Sequence, residues 1–118
     1  MGTLFDTNVL ILHVLGHIRL EIIPGESALS VLTVFEALRL PGLSEKEEEA
    51  LNALIRFCEI IPVTEDIARE AARIGRTRRG HGNDIVIAAT ALQRGMQLLT
   101  RNVKDFRGIR GLTLKDAS

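Results

Sequence analysis

The sequence has few of the residues on which several classes of protein depend. It contains no tryptophan, no tyrosine and four phenylalanines among 118 residues, so aromatic platforms for stacking single-stranded bases are nearly absent. Its one cysteine, Cys58, excludes an internal disulfide and a thiolate zinc site, and we expect a small buried core residue. Ten glycines and three prolines exclude a collagen-like or low-complexity chain. Length and composition predict one globular domain over residues 1–118.

Long hydrophobic runs are also missing. The longest apolar stretch, within residues 9–15, is interrupted by His13 and is far shorter than the ~18 residues that span a bilayer. The first residues read MGTLFDTN, with an acid at position 6 and no basic stretch before it, unlike a secretory signal. We therefore expect a cytoplasmic protein with no membrane partner.

The formal net charge is zero, which argues against binding nucleic acid by bulk attraction alone. The basic residues are nevertheless unevenly placed, because five arginines lie within residues 69–79. Arginine presents a fork of donors that matches phosphate. The candidates for phosphate contacts are Arg76, Arg78, Arg79, Arg101 and Lys104. The alternative for the first three is a solvated basic helix end, where cations suit the helix dipole.

Short apolar segments alternate with helical patterns along the chain. Strands are predicted at residues 3–5, 28–32, 60–63, 96–100 and 112–114. Ser44 and Glu47 form a capping box that predicts a helix to about residue 57, with Phe57 on its apolar face. Pro62 indicates either the end of the third strand or a position at a sheet edge. Asn83 with Asp84 predicts the cap of a helix over residues 85–93. This alternation implies a parallel sheet with helices on both faces.

Acidic side chains follow the predicted strands, at the edge where such sheets bind ligands. They are Asp6, Glu36, Asp84 and Asp105. Taken singly, each has a structural explanation. Asp6 and Asp84 suit helix caps, Glu36 suits an ion pair with Arg39, and Asp105 suits a surface turn beside Lys104 or Arg107.

Taken together, the four acids predict a metal site. Two carboxylates about 4 Å apart repel by roughly 4 kcal/mol at an effective dielectric of 20, so a cluster of them recruits a cation. Hard oxygen ligands suit Mg²⁺ or Mn²⁺. Such an ion activates water against a phosphodiester, which is nuclease chemistry.

Four motifs give the chain a resemblance to a known family. They are DTNVL at 6–10, FEALR around Glu36, DIVIAATAL at 84–92 and LLTRNVKDF at 98–106. Together they resemble the PIN domain, most closely its VapC type, the ribonuclease toxin of type II toxin–antitoxin pairs. The resemblance implies a three-layer α/β/α sandwich with a five-stranded parallel sheet and Mg²⁺- or Mn²⁺-dependent endoribonuclease activity. It also implies a homodimer, an RNA substrate and inhibition by a cognate VapB-like antitoxin.

The resemblance also assigns individual residues. Asp6, Glu36, Asp84 and Asp105 take the positions of the catalytic, metal-binding acids. Asn102 becomes a polar neighbour of the last acid or a substitute for it, and the Thr7 hydroxyl contacts the site. His81 lies outside the family pattern and stays open between an RNA contact and a solvent-exposed loop residue.

Two other functions stay open at this point. One is an RNA-binding scaffold of the same fold without turnover, which the presence of all four acids disfavours. The other is a receiver-like phosphoacceptor that would use Thr100 and Lys104. That class needs an adjacent acidic pair early in the chain, and Asp6 has no acidic neighbour.

Overall fold

The computed structural model describes residues 1–80 and 82–117. Over these residues, strands and helices alternate as the apolar pattern predicts. The elements are β1 (Thr3–Phe5), α1 (Thr7–Val14), β2 (Ser27–Ser30), α2 (Val31–Leu38), α3 (Glu45–Phe57), β3 (Glu59–Ile61), α4 (Glu65–Gly75), α5 (Gly82–Arg94), β4 (Gln97–Thr100), α6 (Val103–Phe106) and β5 (Leu114–Asp116). None of these described helices is long and apolar enough to cross a membrane.

The strands form one parallel sheet in the order β3-β2-β1-β4-β5. β1 is the central strand, and its Leu4 lies opposite Ala28 of β2 and Leu98 of β4. β3 lies at one edge, which is one of the two positions that Pro62 indicates. The predicted five-stranded parallel sheet is therefore confirmed.

Each face of the sheet carries its own hydrophobic core. On one face Leu4 packs in a cluster with Ile67 of α4 and Ile87 of α5. On the other face Phe5 packs in a cluster with Leu51 of α3. Successive strand residues point to opposite faces, so helices cover both sides of the sheet and the three-layer sandwich is confirmed.

The capping box predicted for α3 is present. The Glu47 N–H donates to Ser44 Oγ at 3.1 Å, and the Ser44 N–H donates to Glu47 Oε1 at 2.9 Å. The helix ends at Phe57 as predicted, but the Phe57 side chain is 61% exposed rather than packed in the core. Cys58, the next residue, is buried as expected.

Four predicted elements have boundaries that differ by two residues or more. The strand predicted over residues 60–63 spans Glu59–Ile61. The strand predicted over residues 28–32 ends at Ser30, because Ser30 Oγ accepts the Leu32 N–H at 3.1 Å and begins α2. Helix α5 begins before residue 85, so Asn83 and Asp84 lie in its first turn instead of capping it. The last strand begins only at Leu114, because the turns over residues 107–111 precede its pairing with β4.

Candidate active site

Several elements bring polar residues to the carboxyl edge of the sheet. Asp6 follows β1 directly, Thr100 ends β4, and α2, which carries Glu36, begins immediately after β2. Helix α5 runs into β4, so its first turn with Asp84 lies at the same edge. Because all strands are parallel, these ends meet on one side of the molecule.

Asp6 is the most buried of the predicted acids, with 3% of its surface exposed. It stands at the N-cap position of α1, yet its side chain makes no capping hydrogen bond. Instead, the Thr100 hydroxyl donates to Asp6 Oδ2 at 2.8 Å. Burial raises the pKa of the Asp6 carboxyl, the Thr100 hydrogen bond opposes the rise, and the charges of Asp84 and Glu36 add to it. Asp6 therefore faces the site with a destabilised negative charge.

Glu36 is held by a chain of hydrogen bonds. Thr7 Oγ1 donates to Glu36 Oε1 at 2.8 Å and lies 2.9 Å from Thr33 Oγ1. Since Thr7 uses its one hydroxyl proton on Glu36, the buried Thr33 hydroxyl is the donor to Thr7. Asn83 Nδ2 donates to the other oxygen, Glu36 Oε2, at 3.2 Å. The predicted contact of Thr7 with the site is present.

Glu36 is bound by Thr7 and Asn83 and not by Arg39, the partner considered from the sequence. The Arg39 guanidinium lies over the Phe35 ring, 5.4 Å from its centroid. Both Glu36 oxygens are instead engaged by Thr7 and Asn83. Glu36 therefore belongs to the carboxyl edge of the sheet.

Three of the four predicted acids line one pocket. Asp6, Glu36 and Asp84 surround a cavity of about 350 Å³, together with Thr7 and Arg39. The repulsion that Asp6 experiences from Asp84 and Glu36 reports the same proximity. The structure thus brings these three carboxylates together.

Asp105 lies in the adjoining pocket. It is exposed on α6 and lines a cavity of about 390 Å³, whose wall also includes Asp84. Asp84 therefore separates two pockets, with Asp6 and Glu36 on one side and Asp105 on the other. Asn102 stands at the N-cap of α6, where its backbone N–H donates to Thr100 Oγ1 at 3.0 Å.

The donor set suits a hard divalent cation. Carboxylate oxygens converge from three elements, and the Asp6 carboxylate is buried where a positive charge would stabilise it. Within residues 1–80 and 82–117, no three Asp, Glu, His or Cys side chains form a ready-made metal cage. The pocket brings three acids together without forming such a cage among the described residues.

Comparison with known proteins gives this arrangement a family. The PIN domain family matches residues 3–112 of the chain. The chain belongs to the PIN domain family. The resemblance inferred from the four motifs is confirmed.

Individual relatives cover nearly the whole chain. Ribonuclease VapC1 of Methanocaldococcus jannaschii is 36% identical over 118 residues, which cover 95% of this chain and 84% of that protein. A chain of a toxin–antitoxin complex from Klebsiella pneumoniae superposes with a TM-score of 0.81 at 30% identity, covering 99% of this chain and 98% of that chain. The VapBC2 structure from Rickettsia felis, bound to a DNA fragment from their promoter, gives 0.83 at 20% identity and covers 100% of each chain. This last likeness shows the fold alone.

The predicted phosphate contacts of this PIN domain divide into two groups. Arg78, Arg79 and Lys104 line the pocket that holds Asp84 and Asp105. Arg76 is the C-cap of α4 and Arg101 follows β4; both are exposed but outside that pocket wall in the described chain. Arg78 also differs from its neighbours because its guanidinium is already hydrogen-bonded within the chain.

Sequence reasoning missed three residues of the PIN domain site. Thr33 and Thr100 orient the carboxylates of Glu36 and Asp6, while Asn83 holds the second oxygen of Glu36. For Thr33, the available signal was a hydroxyl in an otherwise apolar segment, three residues before Glu36. For Thr100, it was a hydroxyl at the end of a buried strand. His81, which was left open, lies outside the described residues.

Proposed function

We propose that this PIN domain protein is a metal-dependent endoribonuclease and the toxin of a type II toxin–antitoxin pair. The observation that carries the proposal is the pocket in which Asp6, Glu36 and Asp84 meet. The relative at 36% identity is named a ribonuclease, and the Klebsiella chain comes from a toxin–antitoxin complex. The first name supports the ribonuclease activity, and the second supports the place in a toxin–antitoxin pair.

Asp6, Glu36 and Asp84 are the residues that would hold the cation, with Asp105 as a fourth candidate in the adjoining pocket. Bound Mg²⁺ or Mn²⁺ would supply Lewis-acid activation of water and neutralise phosphodiester charge. The Thr100 hydroxyl keeps one Asp6 oxygen engaged, so that carboxylate is held in a fixed orientation.

The hydroxyls of Thr33 and Thr7 hold the Glu36 carboxylate in a fixed orientation in the same way. Thr33 donates to Thr7 and Thr7 donates to Glu36, so the carboxylate is oriented from inside the protein. Arg79 and Lys104 place positive charge beside Asp84, where they attract the phosphates of an RNA strand. The chain thus supplies fixed carboxylates and a local cationic wall.

Incubation with total RNA in Mg²⁺ or Mn²⁺, with and without EDTA, tests the activity. We expect cleavage with either ion and none in EDTA, with the cut ends mapped by sequencing. Glu36→Gln and Asp84→Asn should keep the fold, since each amide preserves shape while removing charge. Cleavage should fall by at least the 10- to 100-fold that outer-shell partners of metal sites cost.

Glu49→Gln is the matched control, because Glu49 is an exposed acid on α3 outside the pocket. It should leave cleavage unchanged. Full activity of both Glu36→Gln and Asp84→Asn at saturating metal would contradict the assigned roles. RNA binding without cleavage by the unmodified chain in either metal would favour the scaffold alternative.

The partners follow from the same proposal. We expect a VapB-like antitoxin and a homodimer, and apolar surface is available for such contacts. On α2 the side chains of Val31, Phe35 and Leu38 are 41%, 59% and 40% exposed. Light scattering of the purified protein tests whether it forms a homodimer, and a monomer at all concentrations would exclude the homodimer.

A further inference from the structure

Arg78 makes two hydrogen bonds to the backbone of a distant segment. Its Nη2 donates to the carbonyl of Asp105 at 2.7 Å, and its Nη1 donates to the carbonyl of Arg107 at 2.7 Å. Both carbonyls belong to the segment at the end of α6, where helix carbonyls lack partners within the helix. The guanidinium therefore spans two acceptors with its two terminal nitrogens.

The segment that Arg78 contacts is anchored in the core by Phe106, but its polar side is exposed. Helix α6 is four residues long, and Lys104 and Asp105 on it are exposed. Gly108 follows at a φ of 84°, and a Cβ built there would lie 3.4 Å from Arg78 Nη1. The guanidinium thus packs against the turn that ends the segment.

The backbone that carries Arg78 is also close to the site. Arg78 lies six residues before Asp84 in the connection that leads into α5. Asp84 and Asp105 line the same pocket, and Arg78 lines it with them. One side chain therefore links the approach to Asp84 with the segment that carries Asp105.

Arg79 provides the contrast. It lines the same pocket and is exposed, whereas Arg78 is half-buried. The two carbonyls engage two of the five N–H donors of Arg78 and fix the orientation of its guanidinium toward the α6 segment. Holding that segment is therefore a role that Arg78 already performs without RNA.

We propose that Arg78 is a positioning residue, whose role in cleavage is to hold the α6 segment so that the Asp105 carboxylate stands beside Asp84. Its effect on cleavage rests on the proposed ribonuclease function, but its effect on the α6 segment does not. Lysine keeps the charge at this position but cannot span two carbonyls with a planar fork. Arg78→Lys therefore separates holding the segment from a contact to RNA phosphate.

The first measurement is amide hydrogen exchange of the metal-free chain. In α6, the Asp105 N–H donates to the carbonyl of Asn102 and the Arg107 N–H donates to the carbonyl of Val103. We expect Arg78→Lys to speed exchange of both amides severalfold, while Arg79→Lys leaves them unchanged. Unaltered exchange in Arg78→Lys would show that Arg78 does not hold the α6 segment, whatever the activity of the protein.

The second measurement is steady-state cleavage of a defined RNA. Arg78→Lys should lower kcat by 10- to 100-fold, the order expected when a catalytic group is displaced by about 1 Å, with KM changed less than about twofold. Arg79→Ala should mainly raise KM. Arg69→Lys, on an exposed residue paired with Glu65, serves as the control and should change neither.

A double-mutant comparison closes the test. If Arg78 acts through Asp105, then Arg78→Lys should lower kcat no further in an Asp105→Asn background. Additive losses, or a raised KM with unchanged kcat, would assign Arg78 to RNA phosphate and overturn the proposal. If the unmodified chain cleaves no RNA, the proposed function fails by itself. Hydrogen exchange alone then decides whether Arg78 holds the α6 segment.

Discussion

Asp6 carries a negative charge that its surroundings offset only in part. The carboxylate is buried and receives the Thr100 hydroxyl, yet it also faces Asp84 and Glu36. These surroundings keep its pKa raised, and burial is the largest cause. A site that binds a cation carries such a cost whenever the cation is absent.

The raised pKa of Asp6 predicts a pH dependence of stability in EDTA. Below its ordinary value of 3.8 the carboxyl is neutral in both states. As the pH rises, the unfolded chain loses this proton first, so the Asp6 contribution to the free energy of unfolding falls until the pH exceeds the folded pKa. Asp6→Asn should therefore gain stability relative to the unmodified chain as the pH rises, and then level off.

Urea denaturation in EDTA across this pH range measures the effect. Glu49→Gln, which changes an exposed carboxylate, is the control and should show a much smaller trend. A difference between Asp6→Asn and the unmodified chain that stays constant with pH would contradict the prediction.

Thr33 allows a test of the hydroxyl chain. It is fully buried, and valine has nearly its shape but no hydroxyl. We expect Thr33→Val to lower the free energy of unfolding by only about 1 kcal/mol, the usual worth of one hydrogen bond. Cleavage should fall by roughly tenfold or more, because Thr7 then holds Glu36 without support.

Thr90→Val is the matched control. Thr90 is equally buried, and its hydroxyl donates to the carbonyl of Val86 within α5. The substitution should have a similar effect on stability with normal cleavage. If Thr33→Val cleaves RNA as well as Thr90→Val does, Thr33 has no role in the site.

The candidate acids that line the pocket could be selected from the sequence, but the residues that orient them could not. Asp6 follows a strand and Glu36 interrupts an apolar stripe, and both patterns stand out in the sequence. Thr100 and Thr33 do not, because a threonine in a buried strand or helix is also an ordinary core residue. Their roles depend on which side chain faces them across the sheet edge, and that is tertiary information.

At the scale of elements, the capping box was a reliable signal, whereas single capping residues were not. Ser44 with Glu47 predicts the start of α3 and both cap hydrogen bonds are present, but Asn83 and Asp84 lie inside α5 instead of capping it. The capping box is local, so the sequence around it suffices. The strand predicted over residues 28–32 extends past Ser30 because this cap lies inside an apolar run, which is also typical of a strand.

The position of α5 shows why one element boundary affects the site. Because α5 begins at Gly82, Asn83 lies in its first turn and its amide reaches Glu36. A helix beginning at residue 85 would have placed Asn83 and Asp84 in the cap. The start of α5 therefore decides whether Asn83 reaches Glu36, and the sequence pattern alone does not predict that contact.

For the whole molecule, the zero net charge makes local charge decisive. Long-range attraction between this protein and RNA is weak, so binding depends on the few cations beside the site. Arg79 and Lys104 line the pocket with Asp84 and Asp105, whereas Arg76 and Arg101 are exposed farther along the same surface segments. The predicted cluster is thus split by the fold into cations that face the acids and cations that do not line their pocket.

Salt dependence of RNA binding tests this division. In an Asp84→Asn background, chosen to prevent cleavage, the affinity for a single-stranded RNA should fall linearly on a logarithmic salt scale. Arg79→Ala and Lys104→Ala should each reduce that slope by about 0.7, the value for one phosphate contact on a single strand. Arg69→Ala removes the same charge from an exposed pair on α4 and should leave the slope unchanged. If neither Arg79→Ala nor Lys104→Ala alters the slope, the pocket cations are only solvated surface charges, and the contact must be sought at Arg76 or Arg101.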